Sequence, residues 1–346
     1  MDITTVADDL IVLHESTDDG VVAHRYDDLS PGTEYELHGR FMTTLPNPGG
    51  ELLCRFTTVN DVHFGEVQAG RIDDHTDGPI QRAAPGEEPY PETMNRAAVA
   101  EMSAIDPAAV IVKGDLSTDG LPDEWSAFEA TYRVAFGDRL RVVRGNHDAY
   151  KFQHGYEGDQ WIELPGLTVA LLDTVIPGQT TGRITSEQIT WLDDHAAGSD
   201  RPVLVMGHHQ QWLPSPNPSP GGEDNRSEDY FGLHPDSSDA LAGVAARRHN
   251  IIGYAAGHTH RHRIRPMLAD GSVPSIEIGC VKDFPGTWAE YRVHEGGVMQ
   301  VVHRISTPDA LRWSERCRHL YKDFGIDYEH YALGRLEDRC FTIPLR

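Results

Sequence analysis

The chain has 346 residues, a formal net charge of −24 and 39% hydrophobic residues, enough apolar side chains for a real core in one large domain or two. Such acidity disfavours a nucleic-acid backbone or an anionic membrane face as partner, since both are held by clustered Lys and Arg; its ordinary consequence is solubility. The four cysteines, Cys54, Cys280, Cys317 and Cys340, lack Cys-x-x-Cys spacing, which removes zinc-finger and thioredoxin-like readings.

Residues 1–50 read as a small β module. The start, Met1-Asp2-Ile3-Thr4, has neither the basic nor the apolar segment of a signal peptide, and no apolar run reaches membrane-spanning length, so a soluble cytoplasmic protein is expected. Ile11-Val12-Leu13 and Val21-Val22-Ala23 are β-type runs divided by the turn signal Asp18-Asp19-Gly20. Leu29-Ser30-Pro31-Gly32-Thr33-Glu34-Tyr35 resembles the tyrosine-corner segment of fibronectin type III domains. Too few residues precede it for a complete sandwich, so a truncated module packed on the main domain is expected. Pro46-Asn47-Pro48-Gly49-Gly50 reads as a turn or linker.

From residue 51 to 305, strand-like and helix-like pieces alternate, the signature of an α/β domain. Strands are predicted over 52–58, 109–112, 140–143, 167–172, 203–206, 251–256 and 275–280, with a hairpin of 288–293 and 298–305 across Glu295-Gly296-Gly297. Helices are predicted over 93–105, over 122–136 and over 185–196. In the last of these Thr185 and Gln188 form a capping box and Gly198 ends the helix. Residues 65–92 read as a loop, and 214–236, rich in Pro, Ser, Gly and Asp, as a functional lid or a disordered insert. Residues 306–346 read as a helical extension that starts at Thr307-Pro308-Asp309 and ends in a loop.

Five predicted strands run into polar clusters: Asp61-Val62-His63, Gly114-Asp115, Gly145-Asn146-His147-Asp148, Gly207-His208-His209 and Gly257-His258-Thr259-His260. Open α/β sheets bind ligands outside the carboxyl ends of their strands, so these five ends form one candidate site. Imidazole suits zinc, iron, copper, nickel and manganese, and carboxylate oxygens suit the harder end of that range. Asp61 with His63, and His258 with His260, stand two residues apart, so each pair can face one crevice. Asp115 can bridge two ions, while Asn146 offers a carbonyl oxygen and His208 a nitrogen. Singly, such motifs are turns more often than ligands; five together are not explained that way.

In this order the motifs resemble those of the calcineurin-like metallophosphoesterase superfamily, over about residues 55–305. The resemblance implies a four-layer α/β/β/α sandwich and two metal ions, manganese, iron or zinc. One ion would be held by Asp61, His63, Asp115 and His260, the other by Asp115, Asn146, His208 and His258. It also implies attack on phosphorus by a hydroxide held between the ions, with His147 as general acid and Asp148 as the carboxylate that orients it. His209 and Asp283 are rim candidates; Arg226, Tyr230 and His234 either touch substrate or form a solvated loop face. His14, His24 and His38 read as surface residues.

Purple acid phosphatases carry an N-terminal fibronectin-like domain, which the first segment resembles. They place a metal-bound Tyr where this chain has Thr118, and use Asp-x-Gly where it has Asp61-Val62-His63. The Asp-x-His form with His208-His209 is closer to bacterial class III cyclic-nucleotide phosphodiesterases. The expected substrate is therefore a small phosphodiester of the cyclic-nucleotide kind. Alternatives are a phosphomonoester, a glycerophosphodiester, or a catalytically silent binding protein on the same scaffold. No Gly-x-Ser-x-Gly elbow supports a serine hydrolase. No nucleic-acid or membrane partner is expected, and self-association into a homo-oligomer stays open.

Overall fold

The computed structural model describes residues 1–72, 78–214 and 225–345. Its first fifty residues hold β1 (Asp2–Val6), β2 (Ile11–Thr17) and β3 (Gly20–Tyr26), an antiparallel sheet, and a second hairpin of β4 (Glu34–Leu37) and β5 (Arg40–Thr43). Asp18-Asp19 turn the β2–β3 hairpin, with Gly20 following at φ +124°. Tyr35 Oη accepts from the Ser30 N–H at 2.8 Å, tying the proline-glycine turn to β4. Ala7, Leu10 and Val12 bury against Met299, Val301 and Cys340, so the module shares a core with the main body.

Two six-stranded sheets make that body. In the first, β6 (Leu52–Val59), β7 (Val110–Lys113) and β8 (Leu140–Val143) run parallel. The second is built from β9 (Gln160–Leu164), β10 (Leu167–Leu171), β11 (Val203–Met206), β12 (Ile251–Ala256), β13 (Arg263–Pro266) and β14 (Pro274–Glu277), in the order β13-β14-β12-β11-β10-β9. The chain then returns to the first sheet with β15 (Thr287–His294), β16 (Gly297–Arg304) and β17 (Phe341–Pro344), completing the order β17-β16-β15-β6-β7-β8.

Runs such as Val110-Ile111-Val112 and Val203-Leu204-Val205-Met206 are apolar without alternation because both faces of these parallel strands are covered. Phe56, Ile111, Val143, Leu171, Leu204 and Ile276 fill the space between the sheets. Each such side chain removed from water contributes about 1.5–3 kcal/mol. Helices α1 (Tyr90–Ala104) and α2 (Pro122–Phe128) cover the outer face of the first sheet through Met94, Met102 and Phe128. After one further turn, α3 (Val134–Phe136), the second sheet is covered by α4 (Ser186–Ala197) and α5 (Pro235–Arg247) through Leu192, Ala196, Leu241 and Val244. The tail adds α6 (Pro308–Arg316), α7 (Tyr328–Leu333) and α8 (Leu336–Arg339), with Trp313 and Tyr328 in the first outer core. This is the four-layer α/β/β/α arrangement. Among the described residues no helix is long and apolar enough to cross a membrane.

Several local expectations need correction. The helical stretch 122–136 is interrupted by a π-helical segment, Glu129–Arg133, which brings Phe128 and Tyr132 into a stack with ring centroids 5.1 Å apart. The tail ends in β17, paired with β16, and not in a loop. The 214–236 stretch is not irregular to its end: Pro235 opens α5, with His234 accepting from the Asp236 N–H. Residues 215–224 of that stretch, and 73–77 of the earlier loop, lie outside the described residues. His14 is buried and not on the surface, because Thr4 Oγ1 at 2.8 Å and Ser306 Oγ at 3.0 Å satisfy its two nitrogens.

Candidate metal centre

The motifs leave β6, β7, β8, β11 and β12 at their carboxyl ends. There Asp61, His63, Asp115, His258 and His260 all take left-handed backbone angles, φ between +48° and +69°. For residues with a side chain this conformation is uncommon and costs on the order of 1–3 kcal/mol each. Five at one crevice persist only because the surrounding contacts hold them. Gly145 is one reason the loops can meet, since a Cβ there would overlap the Asp115 carboxylate.

Asp115 sits in the middle. His63 Nε2 lies 3.4 Å from its Oδ2 and His208 Nε2 3.4 Å from its Oδ1, which also accepts from the His147 N–H at 3.0 Å. Asn146 Oδ1 is 2.9 Å from His208 Nε2, and the amide donates to Tyr150 Oη at 2.6 Å. On the other side, Asp61 Oδ1 is 3.5 Å from His260 Nε2, and its carboxylate accepts from the His258 N–H at 3.0 Å and from Asn60 Nδ2. Donor atoms of Asp61, His63 and His260 lie within 4.8 Å of one another, as do those of His63, Asp115 and His147, and those of His208, His209 and His258. The structure thus brings all seven expected ligands into one crevice.

Burial pulls His63 down to about 4 and His209 and His258 well below the ordinary imidazole value, so these rings are neutral at pH 7. Burial acts the same way on His208, but the Asp115 carboxylate outweighs it and holds that ring up at about 9. Burial alone would raise Asp115; His208 and His147 hold it well below the usual carboxylate range instead. Among the described residues neither nitrogen of His63, nor Nε2 of His209 or His258, has a hydrogen-bond partner, though all are buried. A buried polar atom left so costs about 1–3 kcal/mol. The neutral imidazoles of His63 and His258, beside two carboxylates and an amide oxygen, belong to a donor set for borderline divalent ions, and an ion held there would satisfy their open nitrogens.

Asp148 does not orient His147. Its oxygens accept from the N–H groups of Gly145 at 2.8 Å and of Leu116 and Ser117 at 3.0 Å each, and from Ser117 Oγ. It ties the Gly145 loop to the Gly114 loop. The partner of His147 is the Thr118 carbonyl, 2.8 Å from Nδ1. His209 is not at the rim but buried behind His208 and His258, with Nδ1 2.7 Å from Thr174 Oγ1. Asp283 is likewise buried; it accepts from Tyr328 Oη at 2.7 Å, and its Oδ2 is 3.9 Å from His260 Nδ1. Arg226 pairs with Asp236 and Asp239 at the start of α5, while Tyr230 is buried beside Gln210. Among the described residues of that stretch, Phe231 meets the crevice, stacked on His258 with centroids 4.2 Å apart.

Parallel strands whose carboxyl ends gather Asp, Asn and His into a buried crevice define the class of α/β metallohydrolases. The chain belongs to the calcineurin-like phosphoesterase family, whose sequence model matches residues 54–262. It is 29% identical over 186 residues to the 3′,5′-cyclic adenosine monophosphate phosphodiesterase CpdA of Pseudomonas aeruginosa, covering 51% of this chain and 63% of that one. It is 27% identical over 125 residues to a cAMP/cGMP dual specificity phosphodiesterase of Mycobacterium tuberculosis, covering 33% of this chain and 39% of that one. The chain therefore spans less than two thirds of either relative. Among solved structures, a dimetal phosphatase from Danio rerio superposes with a TM-score of 0.54 at 15% identity, over 73% of this chain and 97% of that one. That likeness is one of fold.

Proposed function

We propose that this chain hydrolyses a small phosphodiester of the cyclic-nucleotide kind with the help of two divalent metal ions. The observation that carries the reading is the crevice itself: seven donor side chains from five strand ends, with buried nitrogens of His63 and His258 that have no hydrogen-bond partner among the described residues. Asp61, His63, Asp115 and His260 would hold one ion and Asp115, Asn146, His208 and His258 the other, with Asp115 shared. The donors suit manganese, iron or zinc. When bound, such a pair supplies Lewis-acid polarisation and water acidified enough to act as nucleophile near neutral pH.

The chain's own residues do the rest. Thr118 O accepts from His147 Nδ1–H, so in the imidazolium form the ring would present Nε2–H to the departing oxygen and be left as the neutral Nδ1–H imidazole once that proton is given. Asp148 holds the two loops that carry Asp115 and His147 in register. The names of the bacterial relatives support a cyclic nucleotide as the substrate class. The test is turnover of bis-p-nitrophenyl phosphate by protein supplied with Mn²⁺, before and after chelation. Turnover lost in EDTA and restored by Mn²⁺ is expected; full turnover in chelator contradicts the proposal.

A further inference from the structure

Phe231 is 49% exposed, yet it is not loosely held. The Thr181 hydroxyl donates to Tyr230 O at 3.0 Å, and the Gly182 N–H to Gly232 O at 2.8 Å. The Leu233 N–H donates to Gln210 O and the His234 N–H to Gly182 O, both at 2.8 Å, and Gln210 Nε2 donates to the Phe231 carbonyl itself. Gln210 is buried and follows His208-His209 directly, so the strand end that places His208 also fixes Phe231. Gly232 turns the chain at φ +143° immediately after the ring, a conformation that side chains rarely adopt.

One face of the ring lies on the His258 imidazole, planes 27° apart, while about half of the side chain stays open to solvent. Singly exposed apolar residues are common and need no explanation. This one is braced by five hydrogen bonds and set against a side chain of the metal crevice. Among the described residues, the groups that hold the ring and its backbone are polar: the His258 imidazole, the Gln210 amide and the Thr181 hydroxyl. A planar face backed by an imidazole offers stacking area.

Resting on the phosphodiesterase reading, we infer that Phe231 is a stacking subsite for the flat heterocyclic base of a nucleotide diester, and so selects such diesters over base-free ones. Base–aromatic stacking of this kind is worth about 1–3 kcal/mol per base, which is on the order of ten-fold or more in affinity.

The experiment compares wild type, Phe231→Ala and Phe231→Trp, all supplied with Mn²⁺, with Phe41→Ala as a control for loss of an exposed ring elsewhere. Turnover is measured on adenosine 3′,5′-cyclic monophosphate and on glycerophosphoethanolamine, a base-free diester. Binding of the Rp-phosphorothioate of the cyclic nucleotide is measured by calorimetry, and folding of each variant by circular dichroism. Phe231→Ala should raise KM for the nucleotide and weaken analogue binding on the order of ten-fold, while leaving the base-free diester unchanged. Phe231→Trp should retain nucleotide binding, and Phe41→Ala should match wild type. Equal losses on both substrates, or unchanged analogue affinity in Phe231→Ala, overturn the subsite. Wild type that hydrolyses the base-free diester but neither hydrolyses nor binds the nucleotide also overturns it, leaving the phosphoesterase reading intact. Turnover of neither substrate, with analogue binding that still depends on Phe231, overturns the phosphodiesterase reading and leaves the subsite standing.

Discussion

Removing the Asp148 carboxylate tests whether this residue serves structure or chemistry. The side chain is buried and accepts from three backbone N–H groups, those of Gly145, Leu116 and Ser117, and from the Ser117 hydroxyl. In Asp148→Ala these donors lose their acceptor at once. At about 1–3 kcal/mol for each buried donor left without a partner, and allowing for overlap among neighbours, the loss is on the order of 3–6 kcal/mol. That is a large part of the ~5–15 kcal/mol that holds a typical protein folded. With an unfolding entropy of about 2.1 cal/mol/K per residue, a chain of 346 residues shifts by about 1.4 °C per kcal/mol, so the thermal unfolding midpoint followed by circular dichroism should fall by roughly 4–8 °C. The pH–rate profile of the folded variant, taken well below its melting point, should keep the wild-type shape, because Thr118 and not Asp148 holds His147. A melting temperature equal to wild type together with a shifted profile would refute the clamp and return Asp148 to the chemistry.

Two more expectations follow from the same geometry. His147→Ala should bind its metals and melt like wild type but lose on the order of 10²–10⁴-fold in turnover, most on diesters with poor leaving groups; metal analysis and a leaving-group series check this. Burial pushes the Glu290 carboxyl up, but His303 and Arg292 outweigh it and hold it at about 2, below its ordinary 4.5. Because the folded-state value is the lower one, the stability Glu290 lends is present above about 4.5 and is lost as pH falls toward 2. Glu290→Gln should therefore show a shallower fall in melting temperature than wild type across that window, and an unchanged slope would count against the ion cluster.

The parts of the site that could be read in advance are those the chain writes locally. An unbroken apolar run followed by glycine and a ligand-type residue is visible without knowing what lies opposite, so Asp61, His63, Asp115, Asn146, His208, His258 and His260 stood out. The Thr185–Gln188 capping box was legible for the same reason. Asp148 and His209 were recognised as part of the motifs but misplaced, because their partners, Leu116, Ser117 and Thr174, come from other strand ends. Phe231 gave no signal: it sits in an aperiodic stretch, and only the fold lays it on His258. Asn60 and Lys113 were also missed, although Lys113 Nζ donates to Asn60 Oδ1 at 2.9 Å and the Asn60 amide donates to Asp61. The strand β13 was hidden by its charge: Arg263 and Arg265 look like a solvated loop until buried Glu277 on β14 is seen to pair with both. The closing strand β17 is four residues long and has meaning only beside β16.

The measurement that bears most directly on the whole account is anomalous diffraction from crystals of the protein grown with Mn²⁺. Two manganese peaks should appear, one on either side of the Asp115 carboxylate, with His63 and His260 reaching one and His208 and His258 the other. A crevice that takes up no manganese at saturating concentration, or a peak elsewhere with these four imidazoles uncoordinated, would contradict it.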